Sequence, residues 1–269
     1  MKKYFRYIFA GLIFLGFLTG CATVPYTGRS QLSLVPDSQI MEMSRSSYQQ
    51  VLSESKRSGD RPAAASVKRV GQRIAASAED FMREQGYAGE VSTYDWEFTL
   101  LEDNEAVNAW CMPGGKIVVY TGILPVTRDD TGLAVVMGHE VAHALAGHGR
   151  ERVSQLLLYQ LGAIGLSQAL REEPETTQAL WLAAYGLGSQ VGILLPYSRT
   201  QEYEADRIGL ILTAKAGYDP RESIPFWERM MAKGESMPIE FLSTHPATEN
   251  RLQEIRGMMP EALRYYQPR

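Results

Sequence analysis

Residues 139–143 read His-Glu-Val-Ala-His inside a run of small and apolar residues, and this spacing constrains the chain more than any other feature. On a helix, imidazoles four positions apart differ by only about 40° in direction, so His139 and His143 can reach one metal ion. Glu140 then stands beside that ion, where its carboxylate can hold a water molecule. The pattern predicts a helix through these residues and metal-dependent hydrolysis of peptide bonds. It also sets a requirement, because a catalytic zinc takes three protein ligands and keeps one position open.

His148 is the nearest candidate for the third ligand. On a helix that continues past His143 it falls on the opposite face, which makes it a surface residue or a support for a ligand. The stretch Ser198–Asp206 offers more. Glu202 and Asp206 share a helix face, so one carboxylate can bind the metal while the other accepts a hydrogen bond from a ligating imidazole. Glu204 points away from that pair. Alone, such acids are an ordinary solvated helix start. Together with His139 and His143, Glu202 completes a set of two histidines and one glutamate. That set suits zinc best, one Zn2+ per chain.

Apolar spacing predicts helices from Asp37 or Ser38 to about Ser55, and from Ala63 to Gln85. Alternation predicts strands at Asp95–Leu101, Val107–Met112 and Lys116–Tyr120, the last two joined at Pro113-Gly114-Gly115. Asp129, Asp130 or Thr131 caps the His139 helix. Helices then follow over Glu151–Gly192 (broken near Pro174), Glu202–Ala216, Ser223–Lys233 and Ala247 to just before Pro260. The fold class expected is α+β, mainly α-helical, of the gluzincin type, with an active-site helix and a small antiparallel sheet. The span Ala179–Leu195 is apolar, but its glycines, Ser189 and Gln190 favour a buried or membrane-facing helix over a spanning one.

The start of the chain reads as a targeting segment. A basic Met1–Arg6 precedes the apolar Tyr7–Thr19, and Leu18-Thr19-Gly20-Cys21 resembles the cleavage site of bacterial lipoproteins. Residues 1–20 are therefore expected to be a signal peptide and 21–36 a tether lipidated at Cys21, with 37–269 a single zinc metallopeptidase domain. Ala22 after the cysteine favours the periplasmic face of the outer membrane. Cys111 then has no disulfide partner, and is either buried and inert or a reactive thiol. The formal net charge of -4, with no long basic run, argues against a nucleic-acid partner.

Taken together, Gly138-His139-Glu140-Val141-Ala142-His143, the Glu202-to-Asp206 pair, and Asn108-Ala109 ahead of Pro113-Gly114-Gly115 resemble metallopeptidase family forty-eight. That family includes the HtpX, BepA-type and CaaX prenyl protease branches. The likeness runs from Val24 to Leu252, and the leader makes the chain similar to the short LoiP-like lipoprotein group. The resemblance implies His139, His143 and Glu202 as zinc ligands, Glu140 as general base and Asp206 as the residue that orients a histidine. It also implies that His245, in a late loop, approaches the metal. His245 and Arg251 are the candidates for stabilising the oxyanion, with a structural salt bridge the other reading of Arg251.

The hairpin carrying Asn108 and Ala109 is expected to bind extended substrate through main-chain hydrogen bonds. These features predict an endopeptidase of the bacterial cell envelope acting on unfolded or misassembled proteins, self-inhibited if His245 fills the open position. Its partners would be protein or peptide substrates, a membrane reached through the lipid anchor, and envelope assembly factors. The other reading is an outer-membrane assembly chaperone with secondary proteolysis.

Overall fold

The computed structural model describes residues 21–24, 26–171, 173–189, 195–236 and 238–268. The expected signal peptide, 1–20, and residues 190–194 of the second apolar span lie outside the described residues. In chain order the elements begin with β1 (Cys21–Thr23), β2 (Ser30–Leu32), α1 (Asp37–Glu54), α2 (Arg61–Glu84), β3 (Glu97–Leu101), β4 (Ala109–Met112) and β5 (Lys116–Tyr120). They continue with α3 (Leu124–Thr127), α4 (Asp130–Leu145), α5 (His148–Ala169), α6 (Glu175–Ser189) and α7 (Leu195–Lys215). The last are α8 (Ser223–Ser236), α9 (Glu240–Thr244) and α10 (Glu249–Ala262). The chain divides into two compact units, one taking residues up to Ile40 with Gly149–Tyr197, the other Met41–His148 with Ser198 onward.

In the first unit the segment read as a tether is an ordered hairpin. β1 pairs antiparallel with β2, and the turn between them uses Tyr26 and Gly28 at φ 80° and 72°. The Arg29 guanidinium donates to both carboxylate oxygens of the fully buried Glu151, at 2.8 and 2.7 Å. A bidentate pair out of water is specific in geometry, so it fixes the hairpin against α5. α5 and α6 fold back on each other around stacked Tyr159 and Tyr185 rings, 5.4 Å apart. Leu161, Ile164, Leu180 and Trp181 stay exposed on this pair. Among the described residues, no helix is long and apolar enough to cross a membrane.

The second unit holds the core. Asp60 caps α2 by accepting from the Ala63 N–H at 2.9 Å, and Pro62 sits in the first turn, where its missing N–H costs nothing. Val67, Val70, Ile74, Ala78 and Phe81 recur at helical spacing and are all buried. The sheet order is β3-β5-β4. β4 and β5 are antiparallel across Gly114 and Gly115, both at φ 85°, but β3 and β5 are parallel. The sheet is thus mixed rather than antiparallel. Ile117, Val118 and Val119 of β5 are wholly buried, a continuous apolar run that belongs in the sheet centre. β4, with Trp110, Cys111 and Met112 partly exposed, takes the edge. At the other end of the unit, α10 runs through Pro260 instead of stopping before it. The proline lies in the last turn, where little helix follows.

α4 is buried on every side from Gly132 to His143, as a helix through the middle of a core must be. Asp129 starts it, accepting from the N–H groups of Thr131 at 2.8 Å and Gly132 at 3.0 Å. α7 crosses α4 at a pair of glycines. A Cβ on Gly209 would stand 3.0 Å from the backbone of His139, and one on Gly138 would stand 2.7 Å from Thr213 Oγ1. This close approach brings the carboxylates of α7 to the histidines of α4. Gly209→Val is expected to force the helices apart, at a cost of roughly 1–3 kcal/mol for overpacking. Thermal unfolding and zinc titration check this; an unchanged melting temperature and metal affinity would contradict it.

Candidate metal centre

His139 and His143 project from successive turns of α4, and their Nε2 atoms lie 3.1 Å apart. Glu202, from α7, reaches both: Oε2 is 3.3 Å from His139 Nε2 and Oε1 is 3.3 Å from His143 Nε2. His245 follows α9, held by its N–H to the Phe241 carbonyl at 2.8 Å. Pro246 disfavours a further helical residue there. The Nδ1 of His245 lies 3.2 Å from His139 Nε2 and 3.0 Å from Glu202 Oε2. All four side chains are buried and offer one ligand atom each to a common point.

The spacing fits zinc. A tetrahedral ion with nitrogen and oxygen ligands at about 2.0–2.1 Å has ligand–ligand edges of about 3.3 Å. The donor chemistry agrees, since three ring nitrogens and a carboxylate converging out of water need one positive charge among them. Burial works against ionising Glu202, but hydrogen bonds with His139 and His143 hold it well below the usual carboxylate range. Burial pushes His143 well below its ordinary value, leaving a neutral ring with a lone pair. Burial also acts on His139, yet Asp206 and Glu202 outweigh it and push it up to about 9. The preference for positive charge at that ring is one a cation satisfies.

Asp206 lies beside His139, with Oδ1 3.1 Å from its Nδ1. Burial opposes its charge, and Arg251 and His139 restore it, keeping its pKa low. Arg251 takes the salt-bridge role. It donates through Nε and Nη2 to both Asp206 oxygens at 2.7 and 2.8 Å, and through Nη1 to the Pro246 carbonyl at 3.0 Å. Its Nη2 lies 3.2 Å from Glu202, and its guanidinium carbon sits 3.8 Å from the ring centre of Trp227. These contacts brace the carboxylates, as the salt-bridge reading of Arg251 expects.

Glu140 is buried, with Oε1 3.5 Å from His245 Nε2. Asn108 and Ala109 open the edge strand β4; Asn108 Oδ1 accepts from the Ala109 N–H at 2.9 Å, and Ala109 pairs with Val119. Cys111 is partly exposed as a residue, yet burial first and the Glu140 charge next push its thiol well above its ordinary range. Cys21 is exposed.

Burial removes one of the two readings of His148, the surface residue, and leaves the support for a ligand; Glu204, read as a solvated acid, is buried too and pairs with it at 3.1 Å. The sequence reading carried the helix through Gly147. In the structure α4 ends at Leu145, and Gly147 adopts φ 69°, so the chain turns and brings His148 back to His143. Gly147 was the signal that could have revealed this. Trp227 and Phe241 were also missed; their rings lie 5.7 Å from His139 and 4.6 Å from His245.

Comparison with known proteins agrees with this geometry. The model of the family described as "Peptidase family M48" matches residues 64–259, which include every residue of the centre. The mitochondrial metalloendopeptidase OMA1 of Schizosaccharomyces pombe is 34% identical over 277 residues, covering 97% of this chain and 74% of that protein. The human mitochondrial metalloendopeptidase OMA1 is 33% identical, covering 94% of this chain and 49% of its own length. The β-barrel assembly-enhancing protease of Escherichia coli is 30% identical, covering 65% of this chain and 37% of its own length. The chain thus spans half or less of the last two.

The outer-membrane, periplasmic location expected from the leader is overturned by these relatives, since the most similar ones reported are mitochondrial. A basic start followed by an apolar run marks delivery to a membrane without saying which one. The narrower likeness to LoiP-like lipoproteins gains no support from them either. The family model spans the histidines and carboxylates of the site, and on that match the chain belongs to peptidase family M48, with the metal-binding group of a zinc metalloendopeptidase.

Proposed function

We propose that this chain is a zinc-dependent endopeptidase that cuts unfolded or misassembled proteins in extended form. The observation that carries the reading is the meeting of His139, His143 and Glu202 at zinc spacing with Glu140 on the same helix. His139, His143 and Glu202 would hold zinc there, and it would supply Lewis acidity to the scissile carbonyl and to an adjacent water. Glu140 takes the proton from that water and passes it to the leaving amine. Asp206 and Arg251 hold His139 and Glu202 in place from behind.

β4 is the terminal strand of its sheet and packs against α4. A substrate segment adding to that edge gains main-chain hydrogen bonds at little cost in sequence selectivity, and Asn108 and Ala109 stand where it would enter. Such binding requires an extended client, which supports a role in protein quality control. Residues 37–269 serve as the catalytic domain in this reading, after a leader over 1–20 and a link over 21–36. Attachment to a membrane would run through Cys21, and an intact mass showing that cysteine unmodified removes this part.

His245 gives the reading a regulatory side. With its Nδ1 among the other donors, four protein ligands leave no open position. In this form the enzyme is self-inhibited, and the ring must withdraw for hydrolysis. His245→Ala is expected to cleave unfolded casein several-fold faster than wild type while keeping its zinc. Equal or slower cleavage rejects self-inhibition. Cleavage of native and denatured casein by the wild type tests the client class: equal rates on both forms contradict it.

A further inference from the structure

His148 and Glu204 take no part in the chemistry above, yet both lie buried behind a residue of the metal centre. His148 keeps 1% of its surface and Glu204 7%. His148 Nδ1 lies 2.7 Å from His143 Nδ1, and His148 Nε2 lies 3.1 Å from Glu204 Oε2. The three side chains form a line that starts at the outer nitrogen of His143 and ends at a carboxylate.

Hydrogen-bond chemistry gives that line one direction. His143 turns Nε2 toward Glu202 and His139, so a ring that offers this atom as a ligand carries its proton on Nδ1. That N–H donates to His148 Nδ1, which must then be the acceptor. The proton of His148 therefore sits on Nε2 and is donated to Glu204. The same device serves the other ring more directly, since His139 Nδ1 meets Asp206 at 3.1 Å. Each imidazole of α4 thus has a carboxylate of α7 on the side of its outer nitrogen, Asp206 at 3.1 Å for His139 and Glu204 beyond a second ring for His143.

The geometry points to His148 and Glu204 as positioning residues for His143: they fix its ring and tautomer, make it a better donor and so tighten the hold on zinc. The inference rests on the proposed reading of His143 as a ligand. His148 itself lies outside the group that meets at the metal point. Outer partners of this kind cost about 10–100-fold in metal affinity when removed.

The test uses the full chain, with zinc affinity read by competition against a chelator. His148→Phe and Glu204→Gln should each weaken zinc about 10–100-fold; each also leaves a buried partner unmatched and lowers the melting temperature of the metal-free protein, so affinities are compared at a temperature where every variant is folded. The double variant should be no weaker than His148→Phe alone, because the effect of Glu204 on His143 runs through His148. Affinities within twofold of wild type, or losses that multiply in the double variant, overturn the proposal. Nitrogen NMR of the histidine rings in zinc-loaded wild type gives a reading that no folding defect can obscure. It should find Nδ1–H on His143 and Nε2–H on His148; Nδ1–H on His148 overturns the proposal. A wild type that binds no zinc defeats the metal-centre reading itself, whereas tight wild-type zinc with equally tight variants defeats only this inference.

Discussion

Glu140→Gln is expected to lower the kcat for hydrolysis of an unfolded protein substrate by about 10²–10⁴-fold, the range general acid–base groups contribute. The change keeps the shape of the side chain and removes only its ability to take a proton. Glu140 is not one of the four groups that meet at the metal point, so zinc content should stay at one per chain. Melting temperature should change little, since the amide fits the same buried space. The loss should fall equally on kcat and kcat/KM, which marks an interaction made in the transition state rather than in binding. Client binding, measured by pull-down of denatured casein, should survive. Cleavage above a tenth of the wild-type rate would remove Glu140 from the role of base. A variant that cleaves nothing yet fully supports client assembly would favour a chaperone function.

Glu202→Gln is expected to have the second large effect, the loss of stoichiometric zinc. The carboxylate is the one charged donor that touches all three rings, at 3.0–3.3 Å from His139, His143 and His245. A neutral amide of the same size offers a poorer ligand and leaves the positive Arg251 beside it less well matched. Zinc measured after dialysis should fall from one per chain to near zero, and hydrolysis should fall with it. The rise in melting temperature that zinc gives the wild type should vanish, because binding stabilises only what it binds. Full zinc retention in this variant would mean that the ligand set has been misidentified.

Much of this was legible in the sequence, for physical reasons that differ by residue. His139, Glu140 and His143 are fixed by helical period alone, and Glu202 with Asp206 by the same rule once a third ligand is required. The helices around them announced themselves through apolar spacing, and the His139 helix through a choice of caps that includes Asp129. The parallel pairing of β3 and β5 was not legible, because strand order depends on which strand is buried on both faces. His148 was misplaced by one backbone torsion at Gly147, which converts an opposite helix face into a neighbour of His143. Glu204 was misread with it, since its partner is that same histidine. Arg251 carried two readings at the level of sequence, and its contacts with Asp206 favour the salt bridge.

Anomalous diffraction from crystals of the purified chain, recorded on either side of the zinc absorption edge, tests the central claim most directly. One peak per chain is expected, at about 2 Å from the Nε2 atoms of His139 and His143 and from the carboxylate of Glu202. A peak elsewhere, or none from protein whose peptidase activity still depends on Glu140, would contradict the account.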